Sequence, residues 1–355
     1  MSTSGRRGDP PIACSRMLAE ATRGVAVESR HLGSVAVVDA DGRLVLSAGD
    51  VERPVFARSS VKAFQALPLV ESGAADGFGF AEAELALACG SHSGEPEHVE
   101  VAAGALARLG LGAEQLACGA HWPLHGSSAR ALAASGQAPS ALHHSCSGKH
   151  AGFLCLACAR GDAVTGYLAP DHPVQRSVTA AIEDVARHDL STAQVGVDGC
   201  GAPTHALPLR ALAYGFARFG SGAGLAPERA AAARRLMKAV WSAPTLVAGA
   251  GRFDTEAMQV LGERAFVKVG AEGVHAAALP GLGLGVAIKI DDGAARAAEA
   301  VMAAALIRLL RPDGDAGDRL AARARRAIYN ASGEPVGEVR AAEDVFDQAG
   351  SGVRG

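Results

Sequence analysis

The hydrophobic pattern of this 355-residue chain changes its period twice. Apolar runs typical of strands occupy residues 25–46 and 265–290, whereas the stretch 81–244 between them is mostly of helical period. A run at 329–339 adds an edge strand. Because strand-rich ends flank a helix-rich middle, we predict an α+β fold: both ends build one mainly antiparallel sheet flanked by helices, and the middle forms a mostly helical lobe.

The same pattern suggests the domain organisation. We expect residues 1–20 to form a flexible N-terminal arm with a short helix near Leu18. Residues 21–345 then form one unit of two lobes, with a sheet lobe (21–75 and 245–345) and a helical lobe (76–244). Pro96, Pro173 and Pro227 stand where the first turn of a helix accepts proline. A binding site is expected in the cleft between the lobes.

Composition excludes several classes of partner. The net charge is −3 and no block of like charges occurs, which argues against nucleic acid or an anionic membrane. The N-terminus is polar, unlike a secretory signal, and no apolar run reaches the roughly 20 residues that span a bilayer. We therefore expect a cytoplasmic protein, in which the seven cysteines are reduced thiols.

The segment 58–65 contains a serine and a lysine three residues apart, Ser59 and Lys62. On a helix this spacing places both side chains on one face. A serine hydroxyl needs a base to become a nucleophile, and a buried lysine can serve because burial favours its neutral form. By itself, Ser59 would equally well suit the N-terminal cap of a solvated helix.

Two later segments complete a pattern. Ser91 and Ser93 lie in a glycine-flanked loop, and Lys268 ends a predicted strand that runs into a loop at Gly270. Gly270 would let backbone N–H groups approach a ligand. Ser-x-x-Lys, Ser-x-Ser and Lys-x-Gly in this order resemble the layout of serine acyl-transferases of the penicillin-binding type, in which the three pieces converge on one cleft.

Two further segments each contain a cysteine among small residues. Cys146 lies in 143–150 and Cys200 in 197–203. Two thiolates with a nitrogen ligand and a water could hold Zn²⁺, and separate buried thiols are the alternative. Cys155 and Cys158 have the spacing of a metal pair, but they lie in an apolar helix pattern typical of core thiols.

Six motifs together are familiar: ARSSVKAFQALPL, CGSHSGEPEHV, HHSCSGKHAGFL, VDGCGAPTHALPL, GRFDTEAM and VKVGAEGVH. Over residues 20–340 the chain resembles the rhizobial-type (thermolabile, asparaginase II) L-asparaginases. The resemblance implies hydrolysis of L-asparagine to L-aspartate and ammonia, a fold similar to serine β-lactamases and glutaminases, and a homodimer.

The resemblance also implies site residues. They are two catalytic pairs (Ser59 with Lys62, Ser91 with Lys268), a zinc site of Cys146, Lys149 and Cys200, and His150 and Asp198 around substrate and metal. A lysine ligand must be neutral to coordinate zinc.

A site for free asparagine must bind an ammonium and a carboxylate. Arg58 is a candidate for the carboxylate, and Asp198 and Glu272 are candidates for the ammonium. We expect Ser59 to attack the side-chain amide with Lys62 as base, and Ser91 with Lys268 to relay protons. The roles of the two serines could be exchanged.

Three alternatives remain open at this stage. The same Ser–Lys pieces suit a β-lactamase or penicillin-binding enzyme, or a glutaminase, since one methylene is worth only about 1–3 kcal/mol in an apolar pocket. The third alternative is a non-enzymatic protein of the same fold that binds an amino acid or zinc. The paired serines and lysines argue against it, because a binding role needs no nucleophile with a base.

Overall fold

The computed structural model describes residues 15–346. Its strands are β1 (Arg16–Arg23), β2 (Ala26–Asp39), β3 (Leu44–Ala48), β4 (Pro54–Phe56), β5 (Val195–Val197), β6 (Pro203–Pro208), β7 (Phe266–Val269), β8 (Val274–Leu279), β9 (Leu284–Ile290), β10 (Arg325–Tyr329) and β11 (Pro335–Ala341).

The helices lie mainly between β4 and β7. They are α1 (Lys62–Gln65), α2 (Leu67–Glu71), α3 (Ala74–Gly77), α4 (Glu82–Cys89), α5 (Pro96–Arg108), α6 (Gly126–Ala134), α7 (Ser147–Arg160), α8 (Pro173–Ala186), α9 (Leu209–Ser221), α10 (Pro227–Ser242), α11 (Pro244–Val247), α12 (Phe253–Leu261), α13 (Ala295–Leu310) and α14 (Gly314–Ala324). Short 3-10 turns include Arg58–Val61, which leads into α1.

One eight-stranded antiparallel sheet forms the centre of the fold. Its order is β10-β11-β1-β2-β9-β8-β7, and β3 pairs with β2 beside this path. The 14-residue strand β2 pairs with β1 along its first half and with β3 and β9 along its second half. Strands from both ends of the chain therefore alternate across the sheet, which confirms the predicted α+β class.

Helices cover the two faces of the sheet. Helix α9 packs on β2, β8 and β9, and α13 packs on β1, β8, β9 and β11. Successive side chains of a strand point to opposite faces of the sheet. In β9 the consecutive residues Val286, Ala287 and Ile288 are all fully buried, so both faces of this strand are inside the core. Helix α9 comes from the segment 76–244 that the sequence assigned to the helical lobe, yet it lies directly on the sheet.

Prolines begin three of the long helices as predicted, since α5, α8 and α10 start at Pro96, Pro173 and Pro227. The apolar stripe of α8 is buried from Val174 to Val185. Pro68 also behaves as expected, because the first helix ends early, at Gln65, and Pro68 lies in the first turn of the next helix, α2.

Other predictions were wrong in detail. Leu18 lies in β1, not in a helix, and is fully buried between β2 and β11, so the expected arm already joins the sheet at Arg16. Residues 1–14 of that arm lie outside the described residues. The expected edge strand at 329–339 is the hairpin β10–β11. Of the second small sheet, β4-β6-β5, the sequence predicts only β5, from the short strand pattern at 194–198.

Within 15–346 no helix is both long enough and apolar enough to cross a bilayer.

The contact between α9 and β9 requires a glycine at position 285. A Cβ there would overlap the backbone of α9 at Ala213 and Ala217. We expect Gly285→Ala to lower the free energy of unfolding by about 1–3 kcal/mol or more, because the helix must move away from the sheet. Urea denaturation measures the change.

Gly281→Ala is the matched control, since a Cβ there meets nothing within 4 Å. It should change stability by less than about 0.5 kcal/mol. Equal urea midpoints for the two variants would contradict the close packing of α9 on the sheet.

Candidate active site

Three segments far apart in sequence meet where β7 ends. Lys268, in β7, donates a hydrogen bond from Nζ to Ser91 Oγ at 2.8 Å and another to the carbonyl of Val269 at 2.8 Å. Ser91 follows α4, and its backbone N–H donates to the carbonyl of Val247 at 2.7 Å. The sheet therefore supplies the amine and the end of a helix supplies the hydroxyl.

Lys268 is poised to exchange a proton near neutral pH. Its side chain is fully buried, and burial together with the positive charge of Lys62 lowers the pKa of Lys268 to about 7. A substantial fraction of the amine is then neutral at pH 7. In that form it can accept the proton of the Ser91 hydroxyl, as a general base does.

Lys62 has different partners from those expected. Its fully buried amine donates to the carbonyl oxygens of Gly90 at 2.5 Å and Ser145 at 3.2 Å. The hydroxyl of Ser59 lies one turn earlier and is half-buried, and it has no hydrogen-bond partner among the described residues. Of the two expected Ser–Lys pairs, a hydrogen bond joins only Ser91 and Lys268. The bond from Lys62 to Gly90 nevertheless holds the Ser59 segment against the Ser91 loop.

Arg58 and Asp198 form an ion pair. Nε and Nη2 of Arg58 lie 3.1 and 2.8 Å from Oδ1 of Asp198, which also accepts the N–H of Gly199 at 2.7 Å. Both side chains are partly exposed, and Arg58 has a left-handed φ of 52°. The expected binders of a carboxylate and an ammonium are thus adjacent and hold each other in place.

Glu272 and Gly270 lie in the turn between β7 and β8. Glu272 is exposed, and its carboxylate lies beside Gly293, in the turn after β9. The N–H of Gly270 donates to the carbonyl of Val274 at 2.8 Å, so this donor is used inside the turn. A Cβ on Gly270 would lie 3.0 Å from the Ala57 carbonyl oxygen, so the glycine allows the turn to approach the Ser59 segment closely.

The three expected metal ligands also meet. Lys149 Nζ lies 3.0 Å from Cys200 Sγ, and a hydrogen bond from the Cys200 thiol holds the pKa of Cys146 well below its usual value. Burial alone would lower the pKa of Lys149, but the attraction of both sulfur atoms more than offsets this and raises it. All three residues are buried. Two sulfurs and a nitrogen suit a soft divalent ion once the amine loses its proton.

The part of the chain that the structure describes contains no group of three or more His, Cys, Asp or Glu residues able to hold a metal ion. A metal site here therefore depends on Lys149 as a ligand.

His150 follows Lys149 in α7 and is fully buried. Its Nδ1 lies 2.7 Å from the Tyr167 hydroxyl, which accepts the N–H of Ala117. Among residues 15–346, Nε2 has no hydrogen-bond partner. Burial, with the nearby charge of Lys149, keeps the pKa of His150 well below its usual value, so the imidazole is neutral.

Sequence reasoning missed one buried pair near Lys268. Asp254 accepts hydrogen bonds from the N–H of Val269 and from Nε2 of His275, both at 2.8 Å. In the sequence His275 is a lone histidine, which is typical of a hydrogen-bonded residue with no special task, and nothing distinguishes Asp254 from other acidic residues. No local spacing connects the two.

A signal for the lysines was present in the sequence. The chain has five lysines against 29 arginines, and three of the five, Lys62, Lys149 and Lys268, are buried together here. Arginine keeps its proton at all ordinary pH values, whereas a buried lysine can lose it. The scarcity of lysine elsewhere therefore pointed to these positions.

A family model described as L-asparaginase II matches residues 19–341. A comparison with curated protein sequences found no match.

Solved structures align weakly with the chain. One titled "Crystal Structure Analysis of Mglu in its native form" aligns with a TM-score of 0.41 at 16% identity, covering 80% of this chain and 66% of that one. Another, "Crystal Structure Analysis of Mglu in its tris and glutamate form", gives a TM-score of 0.37 at 17% identity, with 86% and 65% covered. The chain thus spans just under two thirds of their length. The family model covers nearly the whole chain, which confirms the resemblance of the six motifs, and the protein belongs to the L-asparaginase II family.

Proposed function

We propose that this protein hydrolyses L-asparagine to L-aspartate and ammonia through a serine ester. Membership of the L-asparaginase II family supports an asparaginase or amidohydrolase role. The observation that carries the finer proposal is the buried hydrogen bond between Lys268 and Ser91, in which the lysine has a pKa of about 7. A purely binding protein has no need of a hydroxyl matched to a base near neutrality.

Ser59 is the proposed nucleophile. Its hydroxyl is half-buried and uncommitted within the described residues, so it is free to turn toward a substrate. Lys62 already donates hydrogen bonds to two carbonyl oxygens, and its amine makes no hydrogen bond to Ser59. The base is then Lys268, which receives the Ser59 proton through the Ser91 hydroxyl.

The reaction proceeds in two steps. Ser59 Oγ bonds to the side-chain amide carbon, and its proton passes by way of Ser91 to Lys268. When the C–N bond breaks, the relay returns a proton to the amide nitrogen and ammonia leaves. Water, deprotonated by the same relay, then cleaves the ester and releases aspartate. The positive charge of Lys62 lies near the relay and contributes to the lowered pKa of Lys268.

The ion pair of Arg58 and Asp198 suits the other end of the substrate. A free amino acid carries an α-carboxylate and an α-ammonium on one carbon, and it needs a cation and an anion side by side. Arg58 supplies a bidentate fork and Asp198 a carboxylate. Glu272 is exposed beside Gly293, so we assign the ammonium to Asp198 alone.

Zinc is part of the proposal. Cys146, Cys200 and Lys149 would hold it, and its contribution when bound would be to fix the pocket rather than to activate water, since thiolate ligation weakens its Lewis acidity. His150 lies next along α7, with a neutral imidazole and an unpartnered Nε2 among the described residues, ready to contact substrate on that side.

The two serines can be distinguished by substitution and by covalent labelling. Ser59→Ala should lower the rate of ammonia release from asparagine at least ~10³-fold, as expected for a lost covalent nucleophile. Ser91→Ala should lower it about 10²–10⁴-fold, because it removes a proton relay. A diazoketone analogue of asparagine should label Ser59, located by peptide mass spectrometry, and Ser135→Ala is the exposed control.

Labelling of Ser91 instead would exchange the roles of the two serines. Ser59→Ala activity within a few-fold of wild type would exclude Ser59 as nucleophile. Asparagine binding without turnover by the wild-type protein would contradict the proposed activity itself. Glutamine, with one more methylene, is the comparison substrate for specificity.

The ammonium assignment is tested by a pair of acidic residues. Asp198→Ala should raise KM for asparagine at least about 30-fold, because the α-ammonium of the substrate loses its charged partner at a cost of about 2 kcal/mol or more. Glu272→Ala should leave KM within about twofold. Steady-state kinetics with both variants makes the comparison, and equal KM values would remove Asp198 from substrate binding.

Zinc is tested by metal analysis of protein purified without added metal. We expect about one zinc per chain in the wild type and a loss of most of it in Cys146→Ala, because one of three ligands is gone. Cys155→Ala is the control and should keep its metal, since this buried thiol donates to the carbonyl of Ala74 instead. Wild-type protein without zinc that also fails to bind added zinc would exclude the site.

A further inference from the structure

We propose that Asp254, held by His275, is a positioning residue that orients Lys268 and sets how tightly its amine holds a proton. The activity test of this inference rests on the proposed function, whereas the geometric argument does not.

Asp254 connects three elements, α12, β7 and β8, by hydrogen bonds next to the backbone of Lys268. It lies in the first turn of α12, and Oδ2 accepts the N–H of Val269 in β7 at 2.8 Å. Its Oδ1 accepts a hydrogen bond from Nε2 of His275, the residue of β8 that pairs with Val269 of β7. The carbonyl of Val269 in turn accepts the Lys268 amine. A single carboxylate therefore fixes the strand end from which the catalytic candidate extends.

The pair of Asp254 and His275 is buried. Asp254 is 2% exposed and His275 is fully buried. Within the described range, Nδ1 of His275 has no hydrogen-bond partner, and the ring of Phe253 packs edge-on against the imidazole. Because an ionised carboxylate only accepts, Nε2 of His275 carries the proton of the hydrogen bond to Asp254.

The carboxylate stays ionised. Burial alone would raise the pKa of Asp254, but the interactions with His275 and Lys268 and the N–H of Val269 more than offset it and hold the pKa below its usual value. A buried anion of this kind costs free energy unless it is paired, and here it has two donors and a nearby cation.

Charged groups of both signs surround Lys268. Lys62 of α1 and Arg252, just before α12, repel the ammonium, while Cys146, before α7, attracts it when ionised. Cys89, at the end of α4, is also near, and burial raises its pKa, so it stays a neutral thiol. The remaining charge is Asp254, whose attraction opposes the desolvation of Lys268. Without it the amine would lose its proton at lower pH than it does now.

Asp254→Asn tests this with little change of shape. The side-chain amide oxygen can still accept the N–H of Val269, but the negative charge is gone. The acid limb of kcat/KM for asparagine, which reports protonation of Lys268 in the free enzyme, should move about one unit to lower pH, since the ammonium is no longer stabilised. A merely structural effect would lower activity without moving the limb.

Glu256→Gln is the matched control. Glu256 lies in the same helix, and its carboxylate is paired with Arg323 on the surface. The acid limb should stay where the wild type has it.

Lysine NMR gives a readout that needs no turnover. With only five lysines, ¹³C labelling yields five side-chain signals, and Lys268→Met identifies the one of interest. The titration of Lys268 should move down in pH in Asp254→Asn and stay unchanged in Glu256→Gln. A wild-type protein that releases no ammonia would defeat the proposed function and leave this test intact.

The wild type itself provides a second measurement, should Asp254→Asn fail to fold. The carboxyl carbon of Asp254 should shift at the pH where Lys268 loses its proton, because the two charges interact. Absence of that step, or an unmoved Lys268 titration in folded Asp254→Asn, overturns the inference.

Discussion

The buried amines of Lys62 and Lys268 impose the strongest constraint on this molecule. An ammonium group inside a protein is costly unless hydrogen bonds replace its lost water. Lys62 meets this requirement with the carbonyls of Gly90 and Ser145, and Lys268 meets it with Ser91 and the carbonyl of Val269. Each amine thereby draws together segments that are distant in sequence. The hydrogen bonds that offset the cost of burying the two amines therefore also assemble the candidate site.

Two buried amines close together also divide their roles. The positive charge of Lys62 lowers the pKa of Lys268, and the two amines have different hydrogen-bond partners. Lys62 donates to two carbonyl oxygens, whereas Lys268 donates to a hydroxyl, which can both accept a hydrogen bond from the amine and donate one to it. The architecture thus places the titrating base at Lys268, where the attraction of Asp254 opposes the repulsion from Lys62.

The sequence predicts those features of the fold whose signals lie within a few residues of one another, and not those that depend on contacts between distant segments. The proline-started helices and the hairpin strands of the core were predictable because their signals lie within a few residues. β1 was not, since its Met, Leu, Ala and Glu are good helix formers, and pairing with β2 and β11 overrides that preference. β6 was concealed by the prolines at both of its ends, Pro203 and Pro208, which normally argue against a strand.

The candidate site shows the same division. Motif order correctly grouped the segments of Ser59, Ser91 and Lys268, but the direction of the Lys62 side chain depends on carbonyls 28 and 83 residues away. The partnership of Asp254 with His275 spans α12 and β8 and leaves no periodic trace. Such contacts are set by the packing of elements, and a single sequence does not encode them in any spacing.

The position of β1 between β2 and β11 has a consequence for how the protein is made. During synthesis on the ribosome, the first strands emerge hundreds of residues before β11, and until then β1 has only one neighbour. Likewise, β2 cannot pair with β9, and Ser91 cannot bond to Lys268, until those later residues have been synthesised. The nascent chain must therefore carry unpaired strand edges through most of translation, a period when chaperones are its natural protection against aggregation.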